Sequence, residues 1–117
     1  MQKSARKSAT LNFNMQFARA YKSGSSCVRP TLVLYARQNG LKKNRLGITV
    51  SKKIGKAHIR NRAKRRLREV YRTNSHLLRQ GFDFVLVSRG RTANAAFSQI
   101  TEDFLAAIRS VGVQKDE

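Results

Sequence analysis

The spacing of apolar residues switches several times between helical and strand-like, and the switches predict the elements. In "NFNMQFARAYK", residues 12–22, Phe13, Phe17 and Tyr21 recur at i, i+4 and i+8, which places them on one face of a helix. Asn12 or Asn14 can cap its start, and Gly24 lies just past its end. "SSCVRP" and "TLVLYARQ" read as extended segments, the second rich in β-branched and aromatic residues. Asn39-Gly40 signals a turn before a third strand, "RLGITVS", so the pattern predicts a hairpin of these last two strands. From about Ile59 to Leu78 the period is helical again. At roughly 100° per residue, Ala63, Leu67, Val70, Tyr71 and Leu78 fall on one side. "FDFVLVS", residues 82–88, has the short continuous apolar run of a buried strand, punctuated by Gly81 and Gly90. "AAFSQITEDFLAAIRSVG" closes the series as an amphipathic helix. Phe97, Ile100, Phe104, Leu105 and Ile108 form its stripe and Gly112 its stop.

The order α-β-β-β-α-β-α predicts a small α+β domain, a four-stranded mixed sheet packed with helices. Strand, helix and strand over 45–88 predict a parallel pair joined by a crossover that carries the second helix. At 117 residues the chain is most simply one domain, 1–117, with 1–10 and 113–117 expected to be flexible.

Charge changes the picture from fold to partner. The formal net charge is +19, and residues 1–68 carry 19 Lys and Arg and no acid, whereas 69–117 carry six of each. A field this one-sided repels itself, and a polyanion relieves it, a nucleic acid or an anionic membrane surface ahead of an acidic protein. The second helix concentrates the effect. Asn61, Arg65, Arg68 and Arg72 line the face opposite its apolar stripe, Arg62 and Arg66 run down one flank, and Lys64 runs down the other. A solvated helix interleaves acids at i, i+4, but here only Glu69 does so. Lys52, Lys53 and Lys56 surround Gly55 just upstream, a basic loop ahead of a helix N-terminus suited to phosphate. The Walker A spacing is absent.

Other chemistries find little support. Cys27 is the single cysteine, which excludes an internal disulfide or a cysteine-based zinc site and fits a reducing cytosol. No apolar run approaches the roughly 20 residues of a membrane span, and the N-terminus lacks a signal-peptide stretch. His58 and His76 lie too far apart on one helix to share a site. The six acids show no converging set for a two-metal nuclease. The chain lacks the leucine heptad or zinc ligands of several DNA-reading classes, and a major-groove helix stays open as an alternative. By spacing alone, Phe17, Tyr21 and Tyr35 read more simply as core than as a binding surface.

The stretch "LGITVSKKIGKAHIRNRAKRRLREVYR" closely resembles the bacterial ribonuclease P protein subunit. The resemblance rests on Ser51, Lys52, Lys53, Ile54 and Gly55 followed by Arg60, Asn61 and Arg62. It extends through "FARAYKSG", "LVLYA", "FDFVLVSRG" and the last helix, nearly the whole chain. It implies a cytoplasmic, non-catalytic subunit of an endoribonuclease whose active site is RNA. That RNA removes the 5′ leader of precursor tRNA with magnesium ions, while the protein has no catalytic residue, no metal site and no cofactor of its own. The implied partners are the catalytic RNA and precursor tRNA, with no membrane and no small-molecule substrate.

Carried over by position, Lys52, Lys53, Arg60, Asn61, Arg62, Arg65 and Arg68 would face RNA. Lys56, Lys64, Arg66 and Arg72 join them from the charge pattern. Phe17, Tyr21, Val33, Tyr35 and Arg37 would form a leader-binding cleft between the first helix and the sheet. In that setting Phe13 is expected to be mostly core, and Phe17 and Tyr21 partly exposed. Two features depart from the family pattern. "SATLN" precedes the first helix where a basic cluster is usual, the charges lying earlier at Lys3, Arg6 and Lys7, and the chain ends "QKDE" rather than in a basic tail. A ribosomal or general structural RNA-binding protein is the alternative that charge and fold class also fit.

Overall fold

The computed structural model describes residues 9–11 and 14–116. Lys3, Arg6, Lys7, Asn12 and Phe13 lie outside them. The elements are β1 (Ala9–Thr10), α1 (Asn14–Ser23), β2 (Ser25–Val28), β3 (Leu32–Gln38), β4 (Arg45–Thr49), α2 (Ala57–Asn74), β5 (Phe82–Ser88) and α3 (Phe97–Ser110). The expected order and mixed sheet are present, and the two-residue β1 adds a short edge. The sheet order is β1-β4-β5-β3-β2.

β4 and β5 are parallel, as the strand–helix–strand unit requires. The hairpin expected of β3 and β4 does not form. β5 lies between them, antiparallel to β3, and β3 forms its hairpin with β2 instead. Two physical features override the Asn-Gly signal. β5 is apolar on both faces and almost wholly buried, so it belongs at the centre. Asn39 also holds an open loop, accepting from the Leu41 amide and donating to the Lys43 carbonyl and to Asp83 on β5.

Alternation along the strands gives the sheet two working faces. Leu34, Phe84 and Leu86 point toward α2 and α3, which return Leu67, Val70, Tyr71, Ile100, Phe104 and Ile108. Burying a side chain such as Leu67 or Phe104 contributes about 1.5–3 kcal/mol, so this is the main core. Every residue of the apolar stripe expected on α2, through Leu78, is buried. On the other face, α1 covers a smaller cluster of Leu11, Ala20 and Val85 with Phe17, Tyr35 and Val87. Gly24 permits the sharp exit from α1: a Cβ there would lie 2.5 Å from the Ala20 carbonyl oxygen and 2.9 Å from that of Ala36.

Two buried carboxylates tie the ends together. Asp83 accepts from Arg45 at 2.7 and 2.8 Å, and Asp103 on α3 accepts from the Thr31 amide and hydroxyl, Arg29 and Gln99. Val113 is buried and the Lys115 amide bonds the Leu77 carbonyl at 2.7 Å, so part of the segment 113–117 is held against the body. Thr10, in the other segment expected to be flexible, pairs with Leu46.

Candidate nucleic-acid interface

The basic surface begins where β4 ends. Lys52 and Lys53 sit in a 3-10 turn, Lys52–Ile54, followed by Gly55 at φ +148°, a backbone region that favours glycine. Lys56 precedes α2 as its N-cap residue without a side-chain cap bond, and the first turn contains no acid. The dipole at this helix start is therefore left uncompensated by the protein, and cations add to it. Lys52, Lys53, Lys56, Asn61, Arg62, Lys64, Arg65 and Arg68 are exposed, and none has a side-chain hydrogen bond or ion pair among the described residues.

Three of the expected RNA-facing arginines are engaged within the fold. Arg66 is half-buried. It donates to the Ala93 carbonyl at 2.8 Å and to the Ala95 carbonyl, with its guanidinium 6.0 Å from the Phe97 ring centroid. Burial, and then the neighbouring Arg62 charge, lower its pKa from the usual guanidinium range. Arg66 thus fastens α2 to the segment before α3. Arg60 donates to the Gly55 carbonyl at 3.1 Å and braces the basic loop. Arg72 forms a fork with Glu69 at 3.0 and 2.6 Å, and that bond holds the Glu69 carboxyl below its ordinary pKa.

The second surface is the α1 side of the sheet. Tyr21 and Tyr35 meet edge to face with centroids 4.9 Å apart, and Phe17 is tilted against Tyr21 at 6.5 Å. Phe17 and Tyr35 are half-buried and Tyr21 is 40% exposed, so the rings form a partly exposed aromatic surface rather than a closed core. The Tyr21 hydroxyl lies 2.6 Å from Thr49 Oγ1, which fixes the ring over β4. Val33 is half-exposed beside them. Arg37 is tied down: it donates to Ser23 Oγ at 3.0 Å and to the Gln38 carbonyl, securing the end of α1.

Two members of this surface escaped the sequence reading, although alternation could have found both. Thr49 shares its face with Gly47, and Val28 pairs with Val33 on the edge strand and is 63% exposed. Among the described residues no three His, Cys, Asp or Glu side chains cluster as a metal site. His58 and His76 are both exposed.

Fold and surfaces together define a small, basic α+β protein of the kind suited to a polyanion, with free cations on one helix and partly exposed aromatic rings across the sheet from it. Comparison with known proteins narrows this class. The Ribonuclease P family pattern matches residues 5–112. The ribonuclease P protein component of Alkaliphilus oremlandii is 37% identical over 103 residues, covering 88% of this chain and 90% of the relative. That of Caldanaerobacter subterraneus subsp. tengcongensis is 38% identical over 107 residues, covering 92% of each. Among solved structures, the Staphylococcus aureus RNase P protein superposes with a TM-score of 0.80 at 29% identity, covering 93% of this chain and all of that one. The Thermotoga maritima RNase P protein superposes at 0.74 with 34% identity, covering 83% of this chain and 92% of that one. The chain belongs to the ribonuclease P protein component family. It is a subunit of an endoribonuclease of tRNA processing, and that membership implies an RNA partner.

Proposed function

We propose that this subunit uses its two surfaces for two RNAs. The α2 side docks on the catalytic RNA, and the α1 groove takes the 5′ leader of precursor tRNA. The observation that carries the reading is the set of unpartnered cations Lys52, Lys53, Lys56, Arg62, Lys64, Arg65 and Arg68. Their mutual repulsion destabilises α2, and phosphates of a docked RNA would relieve it. In the groove, Phe17, Tyr21 and Tyr35 offer rings to unpaired bases, where stacking is worth about 1–3 kcal/mol per base and tolerates most sequences. Both surfaces belong to one rigid sheet, so a leader bound by α1 is held at a fixed distance from an RNA bound by α2. Magnesium ions carried by the RNA would supply the hydrolytic chemistry, with the protein contributing affinity, orientation and charge screening in the cytoplasm.

The test is reconstitution with a bacterial catalytic RNA at low magnesium. The protein should raise cleavage of precursor tRNA well above that of RNA alone, and should cleave nothing by itself. Cleavage by RNA-free protein would overturn the proposal.

A further inference from the structure

α2 carries one histidine, His58, in its first turn. At about 100° per residue, His58 lies roughly opposite Ala63, Leu67, Val70 and Tyr71, the buried stripe of the helix. It is within about 20° of Arg65 around the axis and within about 40° of Arg62. Rising about 1.5 Å per residue, it stands about 6 Å from Arg62 and about 10 Å from Arg65 along the helix. The ladder of Asn61, Arg65, Arg68 and Arg72 therefore begins one turn earlier, at His58. The side chain is exposed and has no hydrogen bond or ion pair among the described residues. His76 lies beyond the helix, in the 3-10 turn Ser75–Leu77.

The ionic groups on this side of α2 are cations: Lys52 and Lys53 in the preceding 3-10 turn, Lys56 at the helix start, and Arg62 and Arg65 on the next two turns. Glu69, the first acid of the chain, lies about 16 Å further along the axis and is held by Arg72. α3, β4 and β5 meet α2 on its apolar side. There Asp83 and Asp103 are buried against Arg45 and Arg29, and Glu102 is exposed on α3. Among the described residues no acid pairs with His58, so an anion facing this ring comes from a bound partner. Unlike the arginines around it, an imidazole changes charge between about pH 5 and 8. A phosphate binds the cationic ring through a charge-assisted hydrogen bond and the neutral ring far less well. We propose that His58 is a phosphate contact that works only when protonated, so that docking on catalytic RNA takes up a proton there. The proton comes from solvent and returns to it when the RNA leaves. Affinity then rises as pH falls through the imidazole range. The inference rests on the docking of α2 proposed above and adds a pH dependence that arginines alone do not give.

Anisotropy titrations of the full chain with catalytic RNA, from about pH 5.5 to about pH 8 at fixed ionic strength, test this. The native protein should bind about tenfold tighter at the acid end, the equivalent of one charge-assisted hydrogen bond. His58→Gln should lose that gain and bind at the weaker level throughout. His58→Arg, whose charge is permanent, should hold the tighter level across the range. His76→Gln should keep the native profile. Titration of the RNA bases is common to all four proteins and drops out of their differences. At the acid end the slope of log K against log salt should steepen by about 0.7–0.9 for the native protein and not for His58→Gln. Superimposable pH profiles for those two proteins overturn the proposal. Calorimetry at about pH 6.5, in two buffers of different ionisation enthalpy, counts the proton directly. Uptake on docking should be smaller for His58→Gln than for the native protein, and equal uptake counts against His58. Arg65→Ala separates this inference from the docking reading. If Arg65→Ala leaves affinity and salt slope unchanged, docking by α2 fails and the inference fails with it. If Arg65→Ala weakens binding while His58→Gln keeps the native pH profile, docking stands and the role of His58 alone falls.

Discussion

Replacing Arg66 and Arg65 one at a time separates structural from RNA-facing cations on a single helix. Arg66→Ala removes two charge-assisted hydrogen bonds, to Ala93 and Ala95, and leaves the carbonyl of Ala93, a residue only 1% exposed, without its donor. Bonds of this kind are worth roughly 1.5–3 kcal/mol each. Arg66 is only half-buried, and water can replace it at the less buried Ala95, so the net loss is about 2–3 kcal/mol. The contact with Phe97 adds about 0.5–1 kcal/mol. A domain of this size holds about 5–15 kcal/mol in all, and at roughly 4 °C per kcal/mol the Tm should fall by about 10–16 °C. Arg65→Ala removes no contact within the fold and should leave stability within about 0.5 kcal/mol. If Arg65 meets one phosphate, its loss should reduce the slope of log K against log salt by about 0.7–0.9. Thermal unfolding by circular dichroism and anisotropy titrations with catalytic RNA across a salt series read both quantities. An Arg66→Ala variant with unchanged Tm and a flattened salt slope would refute the division.

Phe17→Ala should weaken binding of precursor tRNA by about 1–3 kcal/mol and of mature tRNA far less; equal losses in parallel titrations would return Phe17 to the core. Gly47→Ala should displace the Phe17 ring and lower precursor affinity while leaving affinity for catalytic RNA unchanged, with a joint loss of both pointing to misfolding. Burial pushes the Asp103 carboxyl upward, but donors from Thr31, Gln99 and Arg29 outweigh it and hold the pKa below its ordinary value. The stability this group contributes is therefore present above about pH 4 and lost as pH falls toward its lowered folded value. Urea titrations from acid to neutral pH should show a steeper acid limb for the native chain than for Asp103→Asn, and superimposable limbs would remove Asp103 as the cause.

Local pattern made much of the fold legible. The stripe of α2 from Ala63 to Tyr71, the bounds of β5 and the apolar face of α3 follow from periodicity, because each reflects one element against one core; the helix expected to reach Leu78 ends at Asn74, and a 3-10 turn carries the chain on to Leu78. Strand pairing did not follow. Asn39-Gly40 carries a local hairpin signal, but its outcome depends on Asp83, distant in sequence, and on the need of β5 to be covered on both faces. The site divides in the same way. Exposure of Lys64, Arg65 and Arg68 followed from helical geometry. The engagement of Arg66 depends on where the chain places the carbonyls of Ala93 and Ala95, and that of Arg37 on the nearness of Ser23. No spacing rule encodes either. Arginines in one run are chemically alike, and only tertiary partners sort the anchors from the free ones.

The central position of β5 has a consequence for how the molecule comes to be. Phe82–Ser88 is the last strand in chain order and the middle one in space. Synthesis proceeds from the N-terminus at about 5–20 residues per second, so β3 and β4 emerge with the gap between them unfilled. All of the surplus positive charge has been made by then. Until Phe82 appears, the nascent chain is a polycation whose groove has no floor and whose α2 stripe has no sheet to cover. β3 and β4 joined across Asn39-Gly40 would be the kinetic trap at this stage, because non-local pairing is slow and local pairing is fast. The part-buried bonds that Asp83 accepts from Asn39 and Arg45 favour the threaded arrangement, in which β5 stands between the two.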